Sequence, residues 1–262
     1  MSPAPQRRAR GRSDLGGDQV EGRRAVRELL VARRRRVHDV WISDSVDEES
    51  EPMRAIVDAA EAHGVPIRRV ARSRLDAEAT SSAPQGVLAH ATPLVEADLD
   101  SLLRAGRDGA PPFILVLDGV TDPQNLGALL RTAEAAGVSG LVLPRHRTAH
   151  VTPTVAKAAA GAIEHVPMAV VPGIPSALQT LAAAKVWTVG LDADGSGSVF
   201  GLSVATEPLA LVLGAEGSGL GRLTRERCDV IVGIPHIGTL ESLNVSVAGA
   251  VACFEVVRQR LA

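Results

Sequence analysis

The sequence predicts an α/β protein in which a mostly parallel, helix-covered sheet follows a smaller α/β unit. Three observations predict it. Near-continuous apolar runs recur after Pro112, at 113–117, 140–143, 166–171, 186–191, 209–213 and 230–234, with helical stretches between most of them. Runs without alternation belong to strands buried on both faces, the signature of a parallel sheet. Before them, residues 95–110 are polar, end in Gly and Pro, and lack sustained periodicity, which marks a short helix and linker. The charge also shifts along the chain. Residues 1–36 carry eleven Arg against four acids, 37–110 seven bases against fourteen acids, and 111–262 ten against twelve. The expected organisation is a flexible basic arm at 1–18, a small unit at 19–94, a linker at 95–110 and a large unit at 111–262.

Within the small unit, Val20, Val26, Leu29 and Leu30 have helical spacing over 20–32. A strand is expected at 37–43, a helix at 54–63, and strands at 65–70 and 85–89. The last element, 243–261, reads as a long helix. Arg33, Arg34, Arg35 and Arg36 follow the first helix as a tetrad, and together with the arm they suit attraction to RNA phosphates. The alternative is a solvated, arginine-biased surface, since 26 of the 28 basic residues are Arg.

Composition excludes several functions. There are only five aromatic residues and no tyrosine among 262, so rows of base-stacking rings are absent. Two cysteines make neither a disulfide framework nor a metal cluster, and read as reduced, partly buried thiols of a cytoplasmic protein. No apolar stretch is long enough for a membrane span.

Ligands of open parallel sheets bind beyond the carboxyl ends of the strands, where three loops carry the chemistry. In the first, Asp118 ends a strand and Pro123 and Asn125 open a helix. Gly127 lies one turn before Arg131, so the arginine is expected to reach back over bare backbone. It would clamp a phosphate or stabilise an oxyanion there; the competing reading is a surface arginine with Asn125 as N-cap. In the second, Leu213-Gly214-Ala215-Glu216-Gly217-Ser218-Gly219 fits neither a dinucleotide fingerprint nor a phosphate-binding loop with Gly-Lys-Ser/Thr. In the third, Ser242 and Asn244 open the last helix after Ile234, Pro235 and Gly238. Ala248, Gly249 and Ala250 permit close helix packing or a subunit contact. His236 has no ligand-spaced partner, and no Ser-His-Asp set is present.

Taken together, the loops resemble the motifs of the SpoU/TrmH family of RNA ribose 2'-O-methyltransferases, within the SPOUT superfamily. Asn125-x-Gly127-x-x-x-Arg131-Thr132-Ala133, Leu213 to Gly219 and Ile234 to Ala248 carry the resemblance, with Gly161-Ala162-x-Glu164-x-x-Pro167 between them. The N-terminal half, with Glu21-Gly22 and Gln85-Gly86-Val87, resembles the family's small ribosomal-protein-like substrate-binding domain. The ending Cys253-Phe254-Glu255 resembles the branch that methylates a guanosine in large-subunit ribosomal RNA. His236 stands where methionine is more usual, and Ala159 and Ala160 where serine is often found.

The resemblance implies a C-terminal domain with a deep trefoil knot, a homodimer with the site at the subunit boundary, and no metal. It implies S-adenosylmethionine, converted to S-adenosylhomocysteine, near Leu213, Gly214, Gly217, Ile234, Pro235, Gly238 and Leu243. The implied catalytic set is Asn125, Arg131, Glu216, Ser242 and Asn244, with Glu216 and Asn125 holding Arg131. The partner would be ribosomal RNA, of the large subunit or its assembly intermediate. Alternatives are a tRNA ribose methyltransferase of the same family, a catalytically silent assembly factor, and a nucleotide-binding oxidoreductase.

Overall fold

The structure, a computed structural model, describes residues 15–104, 106, 109–239 and 242–262. Most of the expected basic arm, residues 1–14, lies outside the described residues. The first unit runs β1 (Gln19–Glu21), α1 (Arg23–Ala32), β2 (Val37–Ser43), α2 (Glu51–Ala62), β3 (Ile67–Val70), α3 (Arg72–Glu78), β4 (Val87–Ala91). Its sheet order is β1-β4-β2-β3, with β2 and β3 parallel and the other pairs antiparallel. The helix expected over 20–32 is therefore shorter. Gly22, at φ 94°, separates a strand that pairs with β4 from the helix proper. Helix α1 then buries Ala25, Val26, Leu29 and Leu30, the expected apolar face.

The segment 95–104 lies against the large sheet. Ala97 N donates to Met168 O, and α4 (Leu99–Leu103) buries Leu102 among Ile114, Val116 and Ala169. Then follow β5 (Phe113–Asp118), α5 (Pro123–Ala135), β6 (Gly140–Pro144), α6 (Pro153–Ala158), a 3-10 turn (Ala162–Glu164), β7 (Met168–Val171), α7 (Ile174–Ala183) and β8 (Trp187–Leu191). The chain ends with β9 (Gly197–Ser198), β10 (Leu209–Gly214), α8 (Arg222–Arg227), β11 (Val230–Gly233) and α9 (Val245–Leu261). The seven strands lie in the order β7-β6-β5-β10-β8-β11-β9, every pair parallel.

Alternation explains why the central strands read as unbroken apolar runs. Phe113, Leu115, Leu117, Leu209, Leu211 and Leu213 point to the face covered by α5 and α9. Ile114, Val116, Ala210 and Val212 point to the other, covered by α7 and α4. Close helix approach on the first face depends on Gly249, where a Cβ would stand 2.5 Å from Leu129 and 2.8 Å from Leu213.

The two units share one apolar cluster. Leu15 is buried, Gly16 pairs with Val151 as a parallel bridge, and Leu94 N donates to Gly16 O. Residues 15–17 are thus a strap packed between the units, not part of a free arm. Arg35 Nε and Nη2 make a bidentate pair with Glu164, at 3.0 and 2.6 Å, with both side chains at most 3% exposed. Arg35 also donates to the carbonyls of Gly17 and Thr92, and Arg34 to those of Glu164 and His165.

This corrects the expected role of the tetrad. Arg34 and Arg35 are joints between the units; only Arg33 and Arg36 are exposed without a side-chain hydrogen bond among the described residues. A run of four like charges gives no sign of which members will meet an acid 129 residues away.

Candidate active site

Register brings the first two loops together. Gly214 pairs with Asp118, so β5 and β10 end side by side. Asp118 Oδ2 accepts from Gly221 N at 3.1 Å, tying the glycine loop to the end of β5. The glycine loop closes on itself through paired backbone bonds between Ala215 and Gly219. A Cβ on Gly214 would lie 2.1 Å from Gly219 carbonyl carbon, so this glycine serves its own loop. Gly217, at φ 75° with nothing within 4 Å, is the open member.

Helix α5 is capped by Asp122, whose Oδ1 accepts from Gln124 N and Asn125 N. Asn125 is therefore not the N-cap, and its buried amide is free for a longer reach. Asn125 Nδ2 donates to Glu216 Oε1 at 2.5 Å. Asn244 Nδ2 donates to the same oxygen at 2.9 Å and to Asn125 Oδ1 at 3.0 Å. Asn244 also caps α9, its Oδ1 accepting from Ser246 N at 2.9 Å. One residue from each of the three loops thus meets in a closed hydrogen-bonded triangle.

A cleft of about 1370 Å³ opens beside this triangle. Leu213, Gly214, Gly217, Ile234, Ser242 and Leu243 line it, all named from sequence; Pro235 and Gly238 do not, and Gly238 is exposed, a Cβ there meeting no atom within 4 Å. The cleft also takes Asp192, Asp194 and Arg225, which sequence reasoning missed. Asp192 sits just beyond the end of β8, beside β10, and pairs with Arg225 at 2.5 Å. The signal was available: Leu191-Asp192-Ala193-Asp194-Gly195 is a fourth loop at a strand's carboxyl end, with two acids before a glycine. The walls combine leucines for an adenine ring with an excess of carboxylates, Asp192, Asp194 and Glu216 against the single Arg225. That chemistry fits S-adenosylmethionine, which has a flat aromatic base and a cationic sulfonium.

Arg131 is elsewhere. It lies six residues after Asn125, which places the two about 120° apart around α5. Gly127 gives no bare surface for the arginine, because its Cβ position is filled by α6: Ala158 Cβ would be 2.4 Å away. Arg131 is exposed, has no hydrogen bond or ion pair among the described residues, and lines a second cleft of about 1030 Å³ between the two units. The expected grip of Glu216 and Asn125 on Arg131 is therefore replaced by their grip on Asn244.

The remaining reactive groups are quiet. Burial pushes the Cys228 and Cys253 thiols up to about 12, so both are protonated and poorly nucleophilic. Among the described residues no group of three or more His, Cys, Asp or Glu is placed to hold a metal ion, and no helix is long and apolar enough to cross a membrane.

Comparison with known proteins gives the family. Residues 112–254 match the SpoU rRNA Methylase family, and residues 19–96 match the RNA 2'-O ribose methyltransferase substrate binding family. The chain is 40% identical to the 23S rRNA (guanosine-2'-O-)-methyltransferase RlmB of Pseudomonas putida, over 93% of this chain and 97% of that one. It is 38% identical to the putative TrmH family tRNA/rRNA methyltransferase YacO of Bacillus subtilis, over 93% and 96%. Among solved structures, the SpoU methyltransferase AviRb of Streptomyces viridochromogenes in complex with the cofactor AdoMet superposes with a TM-score of 0.76 at 25% identity, covering 93% of this chain and 90% of that one. The chain belongs to the SpoU rRNA methylase family.

Proposed function

We propose that this protein methylates the 2'-hydroxyl of a guanosine ribose in 23S ribosomal RNA. The observation that carries the reading is the triangle of Asn125, Glu216 and Asn244 at the mouth of an acidic, leucine-walled cleft. The choice of RNA rests on RlmB relatives that match nearly the whole chain. S-adenosylmethionine, bound in that cleft, supplies an electrophilic methyl. With the cofactor bound, the methyl would pass to the ribose oxygen as the carbon–sulfur bond breaks, giving S-adenosylhomocysteine, and the hydroxyl proton would leave to solvent. Glu216 fixes the first and third loops relative to each other, and Ser242 shapes the rim. Arg131 grips the target phosphate and stabilises the emerging alkoxide, with any service as a base transient, because a guanidinium is normally always charged.

Arg131 faces away from its own chain's cofactor cleft, which supports a homodimer whose site joins elements of two copies. Helix α9 supports the same reading. Val247, Phe254 and Leu261 recur every seven residues and are 49%, 49% and 83% exposed. The trefoil knot that the family implies belongs to this proposal too. A cytoplasmic location follows from the ribosomal substrate.

The test is mapping of 2'-O-methylation in ribosomal RNA and tRNA from a deletion strain, with purified protein and labelled cofactor added back. Restoration of one 23S guanosine is expected. Labelling of tRNA alone would replace the substrate; the name of the Bacillus subtilis relative covers both tRNA and rRNA. No labelling of any RNA would overturn the enzyme.

A further inference from the structure

The cleft that holds Arg131 has features that the methyl-transfer site does not use. Its walls come from both units: Arg23, Arg24 and Arg72 from the first, Arg131 and Lys157 from the second. Two acids face it, and both are engaged. Glu21 is buried, accepting from the backbone and hydroxyl groups of Thr80 and Ser81, while Asp76 pairs with Arg72. Arg23 donates to Gln85 O, and Lys157 Nζ crosses between the units to Ala83 O at 2.7 Å. Arg24 and Arg131 are exposed and have no hydrogen bond or ion pair among the described residues.

A second, independent feature points the same way. The ten-residue α1 begins in this cleft at Gly22 with no acid in its first turn; its first amide, Arg23 N, donates to Gln85 Oε1 at 3.1 Å, and the amides that follow carry no side-chain cap. A helix start left bare of acids, with partial positive charge and cations on both sides, is suited to an anion. Strain also gathers here. Gln85 at φ 59° and Ala160 at φ 51° are non-glycine residues in left-handed backbone, and both line the cleft.

We infer that this cleft binds the ribose-phosphate backbone of the RNA strand flanking the target nucleotide, with a phosphate at the start of α1 between Arg24, Lys157 and Arg131. The inference rests on the RNA methyltransferase reading and assigns its substrate a path between the units, in place of the arginine tetrad. The cleft would orient the strand, and Arg131 would be its member closest to the chemistry.

The experiment measures binding of the full-length protein to a fluorescein-labelled single-stranded RNA oligonucleotide across a salt series, alongside methyl incorporation into 23S RNA. Arg24→Gln and Lys157→Gln should each weaken binding and each lower the slope of log affinity against log salt by about 0.7, one phosphate contact. Calorimetric affinity for S-adenosylmethionine should be unchanged, which also reports that the variants are folded. Arg24 carries no contact whose loss would disturb the fold, so it decides if Lys157→Gln is unstable. An unchanged slope in Arg24→Gln, with a reduced slope in an Arg33→Gln/Arg36→Gln control, overturns the inference and returns the RNA to the tetrad. Methyl incorporation that fails in wild-type protein, while the cleft variants still change the slope, overturns the enzyme reading and leaves the binding cleft standing.

Discussion

Asn125, held by Glu216, and Arg131 divide the candidate chemistry between two faces of α5. Glu216 accepts both amides of the triangle on one oxygen, so Glu216→Gln puts an amide where two donors converge. Its expected effect is a fall in kcat with AdoMet affinity changed less, read by steady-state kinetics and calorimetry. Arg131→Lys keeps the charge but loses the planar fork. Turnover should drop by about 10²-fold or more, the scale of losing a pre-aligned oxyanion donor; near wild-type turnover would sink the bidentate role. At this scale the sequence was legible for residue identity and silent on partnership. The motifs placed Asn125, Glu216 and Asn244 on three loops, but which side chains meet depends on angle around α5. Asp122 takes the capping role because it stands before Pro123, at the helix boundary, and this frees Asn125.

Elements were more legible than their ends. The runs at 113–117 and 209–213 became β5 and β10 almost unchanged, because strands buried on both faces leave no polar residue to blur them. Strand β1 was hidden because three residues ahead of a helix share its apolar spacing; only pairing with β4 separates them. Helix α9 carries two predictions. If its exposed stripe joins two copies, Val247→Glu with Phe254→Glu should convert a dimer to a monomer in light scattering, and a dimer that persists would exclude this face. On its inner side, Glu255 is held down to about 2, chiefly by the Arg258 hydrogen bond, then by Gly201 N and Gln259. A carboxyl depressed in the folded state adds stability above its ordinary value of 4.5, and that stability is lost as pH falls toward 2. The melting temperature of Glu255→Gln should therefore lie below wild type at neutral pH and converge with it in acid. A constant gap would reject the linkage.

At the scale of the whole molecule, the buried Arg35–Glu164 pair sets how the units sit. Removing one partner leaves an uncompensated buried charge, at a cost of about 3–5 kcal/mol. Glu164→Gln should show that loss in denaturant unfolding, and an Arg35→Met/Glu164→Leu double variant should recover much of it. A loss below about 1 kcal/mol would mean the pair is solvated. Glu164 had been visible only as one letter of a motif between the catalytic loops; its partner was hidden in a run read as RNA-facing. The same pair constrains the order of events during synthesis. At about 5–20 residues per second, the 129 residues between Arg35 and Glu164 take roughly 6 to 26 s to emerge. Throughout that interval the first unit holds an arginine without its acid, and until late in it the strap at Leu15–Gly17 also lacks Val151 to pair with. The nascent chain therefore passes through a stage in which its N-terminal unit is a distinct, less stable species, and the final seam closes only when the turn between β6 and β7, at one edge of the large sheet, has left the ribosome.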